Sequence, residues 1–596
     1  MVLQFPKPLQ LPYPCSFTVH IRAHPWYKLS TLQCSAAICG SLTLPTRPRT
    51  KVPPQRNEPY DAIVVGSGIT GGLAAKELCE RGLRTLVVER GRHVEHGKDY
   101  VTEWLEPWEL EYRGRGEPQL YARDYPIQSR NYAFGEATKH FFVNDREHPY
   151  VSQGGGQDFG WIRGYHLGGP SLLWGRGCLR WSDLDFEANL RDGHGVDWPI
   201  RYADIDPWYS HVERFAGIAG ERLGLSYLPD GELLPPWPLN CAEEFVKGRI
   251  ERAYPGRHMT IFRVANLTQD HNGRSRCRAR NQCHRGCSFG SYFSSLSASL
   301  PAAQKTGKLT VVTDAIVESV LYDENKDRAS GVRVIDAKTK QAREYFGRII
   351  FLNASTIGTA QILLNSKSTR FPNGLANSSG EVGHNLMDHL SKAGARAIVP
   401  GMEDKYYYGR RPTGCYIPRF RNLGGRRDEK VGFLRGYGIQ VGVGRSGWAR
   451  GWGMPGLGVE LKQKLREPGA WGISMQGYSE CLPRHENYVD LDPERKDQWG
   501  LPVPRIHWSW SENEKAMRED AKTQSAEMLV AFESVERAES MGLSPYQEID
   551  AGGPVSQTRQ SAVARGSRGR SIPVRLDLRS LGDLRPSDLR YRIVSR

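Results

Sequence analysis

The sequence has no histidine beyond His507, so the long stretch to Arg596 lacks the commonest biological proton acceptor. No run of eighteen apolar residues occurs, which excludes a membrane-spanning helix on sequence grounds. Acidic residues are missing from 1–57, which hold seven Lys/Arg and carry +7. Lysine is missing from 551–596, where ten Arg against three Asp give another +7. Of the total of +15, only +1 is left for 58–550. The basicity therefore belongs to two tails, and no recognition motif accompanies it, so no nucleic-acid partner is expected. Regular cysteine spacing is absent too, which excludes a disulfide scaffold in a chain of this length. The tightest group is Cys277, Cys283 and Cys287 with His284 between them. It has no second half of a zinc site, and a structural reading is favoured, so no metal is expected.

The two tails differ from the interior in kind. Residues 1–57 are rich in Pro, Ser and Thr and include Cys15, Cys34 and Cys39. They lack the charged start, apolar core and cleavage site of a secretory signal. A transit-like segment or a start placed too far upstream fits equally, with a cytoplasmic or periplasmic body favoured. Residues 551–596 show no sustained helical or strand period, as in Ser561-Ala-Val-Ala-Arg-Gly-Ser-Arg-Gly-Arg570. They read as a disordered segment or as translation in a wrong frame.

What is present begins at Tyr60-Asp-Ala-Ile-Val-Val65, a β-branched run suited to a buried parallel strand. Gly66-Ser-Gly68-Ile-Thr-Gly71-Gly72 follows at once, then a helical pattern from Leu73 to Cys79 with Gly82 as its stop. A second strand, Thr85–Val88, ends on Glu89, eighteen residues past Gly71. Gly66 allows a sharp turn, Gly68 a close approach to a pyrophosphate, and Gly71 close helix–strand contact. The open N–H groups of the helix start suit phosphate, and Glu89 suits a ribose diol. This unit predicts a dinucleotide site and does not by itself separate FAD from NAD.

Four later segments, in order, carry a resemblance. They are Leu167-Gly-Gly-Pro-Ser-Leu-Leu-Trp-Gly175, Leu309-Thr-Val-Val-Thr-Asp-Ala-Ile-Val317, the strand-to-helix run 349–366, and Val382-Gly-His-Asn-Leu-Met-Asp-His389. Together with the front unit they resemble the glucose–methanol–choline (GMC) oxidoreductases over roughly 58–510. Within that family the stretches 283–294 and 491–504 are most similar to bacterial dehydrogenase-type members related to gluconate dehydrogenase flavoproteins. The chain departs from the pattern with Ala360 for Pro and Lys367 for Gly. Leu173 stands where one branch carries a flavin-linked histidine, so no covalent link is expected there.

The resemblance implies an α/β fold with a discontinuous, Rossmann-like FAD-binding domain and a β-sheet-based α+β substrate domain. The boundaries are 58–190 and 305–390 for the first, and 191–304 and 391–510 for the second. A helical segment over 511–550 would follow, with the basic stretches 1–57 and 551–596 outside. FAD is the implied cofactor, held by Gly66, Gly68, Gly71, Glu89, Gly168, Gly169, Ser171, Trp174, Val317, Asn385 and Asp388. His384 and His389 belong to the last motif as structural residues. The implied reaction is oxidation of a CH–OH group of a sugar or polyol-like alcohol, with hydride passing to the flavin N5. The acceptor would be something other than oxygen, through an acceptor subunit or cytochrome. Tyr406, Tyr407, Tyr408 and Trp448 are candidates to stack on a sugar, although packing is the commoner use of such rings.

Family members take the hydroxyl proton with a histidine that follows the substrate domain. Here that residue is missing, and His485 and His507, both read as strand residues, precede the expected place. No catalytic residue is assigned on sequence grounds. A flavin-binding relic, impaired by an altered C-terminal segment, is the alternative expectation.

Overall fold

The computed structural model describes residues 58–154, 159–399, 401–405, 412–424, 431–447, 450–451 and 453–530, with the backbone of 546–550 and 555–556. Residues 1–57, all of 551–596 but the backbone of 555–556, Tyr406–Tyr408 and Trp448 lie outside the described residues.

The strand β1, Tyr60–Val65, is apolar on both faces because both faces are covered. It pairs in parallel with β2, Thr85–Val88, which pairs in parallel with β3, Leu309–Val312. Asp314 turns the chain at φ +54 into β4, Ala315–Asp323. β5, Arg328–Asp336, and β6, Ala342–Leu352, complete an antiparallel meander. β6 then returns to β1 in parallel, with Tyr60 opposite Gly347 and Val65 opposite Leu352. Between β1 and β2 runs α1, Ile69–Glu80, which ends where Gly82 takes φ +83. Leu83 N–H then reaches back to Leu78 O at 3.1 Å.

α1 lies against the helical segments Ser295–Ser299 and Leu300–Lys305. A Cβ on Gly72 would stand 2.5 Å from Ser299 Oγ, and Ser295 Oγ donates to Gly68 O at 2.8 Å. The part of 191–304 from Ser295 onward therefore packs on the first sheet's helix and not with the substrate sheet, a correction to the sequence-based boundary. Small residues on both sides set that contact, and periodicity does not report it.

A second, antiparallel sheet runs in the order 546–550, 390–399, 471–479, 437–445, 415–417, 260–261. Strands 390–399, 415–417, 437–445 and 471–479 thus supply sheet in the stretch 391–510, expected to be sheet-based. Helix Glu512–Val530 covers one face through Met517, Ala521 and Met528, all buried. The expected helical segment over 511–550 needs correcting at its end, where Tyr546–Asp550 forms a strand beside 393–397. A free edge of the sheet offers unpaired N–H and C=O groups, and pairing there outweighs helical continuation.

A smaller sheet joins Val151–Gln153 to the hairpin Tyr488–Lys496 and Pro502–His507. Among the described residues no helix is long and apolar enough to cross a membrane. Nor do those residues hold a group of acids, cysteines and histidines arranged for a metal ion.

Candidate functional site

A cleft opens where β1 and β2 end, the place at which parallel sheets present ligands. It holds about 960 Å³ of empty space, partly open to solvent. Gly66, Ser67 and Gly68 line one side, Glu89 and Arg90 the next, and Val317, Asn353 and Ala354 the far wall.

The glycines are required by backbone proximity. Gly66 has φ +95, and a Cβ there would stand 2.4 Å from Asn353 O. A Cβ on Gly71 would stand 1.9 Å from Gly66 O. Gly68 caps α1 without a side chain and the first turn holds no acid, so the positive end of the helix meets an anion with no carboxylate of its own in competition.

Glu89 is buried at 6 % exposure, with three donors on its carboxylate. Ser67 N and Oγ reach Oε2 at 3.0 and 2.5 Å, and Gly91 N reaches Oε1 at 2.8 Å. Burial pushes the Glu89 carboxyl above the ordinary carboxylate range, while those donors pull it down. Ser67 Oγ also accepts from Gly168 N at 2.8 Å, so one hydroxyl joins the first turn to the Gly168–Gly169 segment. There the backbone has φ +85 and +51, and Gly169 lines the cleft.

Ser171, Trp174, Asn385 and Asp388 lie outside the lining of this cleft. The Ser171 hydroxyl donates to Gly168 O at 2.6 Å and accepts from Ser295 N at 3.1 Å. The Trp174 indole donates to Phe293 O at 3.0 Å. Asn385 takes φ +60 in the loop before strand Leu390–Val399, and Asp388 Oδ1 accepts from His389 N at 2.8 Å. Ser171 and Trp174 thus tie the segment 167–175 to 293–295 beside the cleft.

Several lining residues escaped the sequence reading, including Trp161, Arg163, Tyr165 and Leu501. Arg90 had a signal, as the base directly after the acid that ends β2. Arg163 is buried with Nη2 3.1 Å from Asp145 Oδ1 and its guanidinium 4.6 Å from the Trp161 ring. His148 lies close by, and burial, then Arg90 and Arg163, hold its protonation down to about 3.

None of the lining residues is a histidine. His485, expected on a strand, sits in a turn because Asn487 N closes back onto Arg484 O at 3.1 Å. It stacks on His384 at 3.8 Å, followed by Tyr488 and His507 in one column of rings. His507 ends its strand with Nε2 3.3 Å from Asp490 Oδ1.

Parallel strands, a glycine turn, an uncapped helix start and a buried acid at the second strand's end define a dinucleotide-binding protein. The family model described as GMC oxidoreductase matches residues 60–391. The chain belongs to the GMC oxidoreductases and is an FAD-dependent oxidoreductase. It is similar to 2-methyl-1,2-propanediol dehydrogenase of Mycolicibacterium austroafricanum, at 25% identity over 81% of this chain and 83% of that protein. It is also similar to the fructose dehydrogenase large subunit of Gluconobacter japonicus, at 25% identity over 76% and 80% of the two chains. The gluconate 2-dehydrogenase flavoprotein of Pantoea cypripedii matches at 22% identity over 77% of each.

Proposed function

We propose that the chain oxidises a CH–OH group of a sugar or polyol and passes the electrons to an acceptor other than oxygen. The observation that carries this is the cleft at the ends of β1 and β2, within the part of the chain that matches the GMC family. The residues fit FAD: Gly66 leaves room only for backbone, Asn353 Oδ1 and Arg90 Nε are buried without partners, and the start of α1 is uncapped. When bound, FAD supplies the electron chemistry by accepting hydride at its N5.

This chain's own residues would do the holding. Gly66, Gly68 and Gly71 admit the pyrophosphate to the start of α1. Glu89, with lone pairs left on Oε1, accepts from a ribose hydroxyl. Val317 presents backbone at the adenine side, and Gly168 and Gly169 run beside the rest of the cofactor. Ser171, Trp174, Asn385 and Asp388 support this arrangement from outside the cleft. No residue is assigned to take the substrate's hydroxyl proton.

The curated names of the relatives support the substrate class, since they include a diol, a sugar and a sugar acid. The words "large subunit" and "flavoprotein" in two of them support an acceptor subunit or cytochrome as partner. The test is the purified full chain. It is expected to be yellow and to bleach anaerobically with a polyol or sugar, faster with an artificial acceptor than with oxygen during turnover. A colourless folded preparation would overturn the reading. Bound flavin that stays oxidised across the whole panel would support the relic instead.

A further inference from the structure

We propose that the turn Asp497–Leu501 is a strap that secures the adenylate end of a bound dinucleotide, and that its hold runs through Arg90. This rests on the reading of the cleft as an FAD site and adds the element that keeps the cofactor in it.

The turn is rigid by its own bonds. Asp497 N donates to Leu501 O at 2.8 Å, while Asp497 Oδ1 accepts from Trp499 N at 2.9 Å and Leu501 N at 3.0 Å. It projects from the hairpin Tyr488–Lys496 and Pro502–His507, which pairs with Val151–Gln153 and not with the first sheet. Even so, it reaches that sheet. Trp499 Nε1 donates to Ala337 O at 2.9 Å, just past β5, and Leu501 lines the cleft at 6 % exposure.

Arg90 connects the turn to the cleft. Its guanidinium lies 4.8 Å from the Tyr165 ring and 5.3 Å from the Trp499 ring. Nη2 is 3.5 Å from Asp497 Oδ2, and Nε is buried with no partner. His148 stacks on Trp499 at 5.2 Å and 26°. Since His148 stays neutral, it adds no repulsion to Arg90.

A guanidinium held by two rings, with its Nε–H unused and directly after the ribose-binding acid, suits an adenine, whose ring nitrogens accept. An unused buried donor is costly, so a ligand acceptor there gains a disproportionate share of binding. The strap thus acts on the part of FAD that FMN lacks.

The experiment compares the full-length protein with its Trp499→Ala, Trp499→Phe and Arg90→Met variants. Flavin release from the holoproteins is followed by fluorescence recovery on dilution. The flavin-stripped full chains are then titrated with FAD and with FMN. Trp499→Ala and Arg90→Met are expected to speed FAD release at least tenfold and to weaken FAD about tenfold. FMN affinity should stay within twofold, and Trp499→Phe should restore most of the loss. Equal weakening of both flavins, or unchanged FAD release, would overturn the strap. A wild-type protein that takes up neither flavin would overturn the functional reading itself.

Discussion

Gly71 has no space for a methyl group, since its Cβ would meet a backbone oxygen at 1.9 Å and backbone does not rotate aside. Overpacking of this kind costs about 1–3 kcal/mol. Gly71→Ala is therefore expected to lower the melting temperature by several degrees and to reduce bound flavin per chain, read from visible against ultraviolet absorbance. Unchanged values would show that the turn relaxes. Histidines set a second expectation. Burial, then Arg92, holds His140 to about 4, and burial holds His166 to about 4 and His148 to about 3, against an ordinary 6.5. From pH 6.5 down to about 4 the unfolded chain binds protons at these sites and the folded chain does not. Stability is full above 6.5 and falls as the pH drops through that window, by about 1.4 kcal/mol per unit for each group. Asp185, raised by burial and then by the Glu480 carboxylate, and Glu89, raised by burial, work the other way, while His284, held to about 3 by burial and then Arg176, adds to the histidines. The melting temperature should fall from pH 7 to pH 5, and less steeply in His166→Asn. A flat profile in the wild type would contradict this.

At the scale of elements, helix Glu512–Val530 lies directly on the second sheet because Gly477 brings no side chain beneath it. A Cβ on Gly477 would stand 2.7 Å from Ala521 Cβ. Gly477→Ala should destabilise by about 1–3 kcal/mol, and Ala521→Gly added to it should recover much of the loss. A denaturant-midpoint cycle with no coupling would place the strain elsewhere. The same helix shows what could be read in advance. Its face of Met517, Ala521 and Met528 recurs at helical spacing, and the strands at 60–65 and 85–88 announce themselves as β-branched runs closed by glycine or acid. Glu89 and the three front glycines were legible because one short segment holds the whole unit. Trp499 was not, since it reaches Arg90 from more than four hundred residues away through a hairpin that belongs to another sheet. The partners of Ser171 were not legible: a hydroxyl beside two glycines reads as a ligand donor, and the fold adds Ser295 N and Gly168 O as its protein partners.

On the scale of the whole molecule, two sheets of different character share the work. The parallel one ends in the cleft, and the antiparallel one buries one face in a single apolar cluster shared with Glu512–Val530 and Cys241–Ala253. The core helix ties the second sheet's stability to Met517, which is fully buried. Met517→Ala is expected to cost about 2–5 kcal/mol while leaving the FAD affinity of the surviving folded protein unchanged, checked by melting and by titration. Coupled loss of both would mean that the sheets unfold as one. The pairing of β1 with β6 has a further consequence in time. Tyr60–Val65 leaves the ribosome early, but its neighbour Gly347–Leu352 is made nearly three hundred residues later. At about 5–20 residues per second, the first strand waits roughly 15–60 s with the N–H and C=O groups of one edge unpaired. During synthesis this protein therefore depends on whatever shields that edge, and a nascent chain arrested before Leu352 should be cut by protease within 60–88, where the finished chain is not.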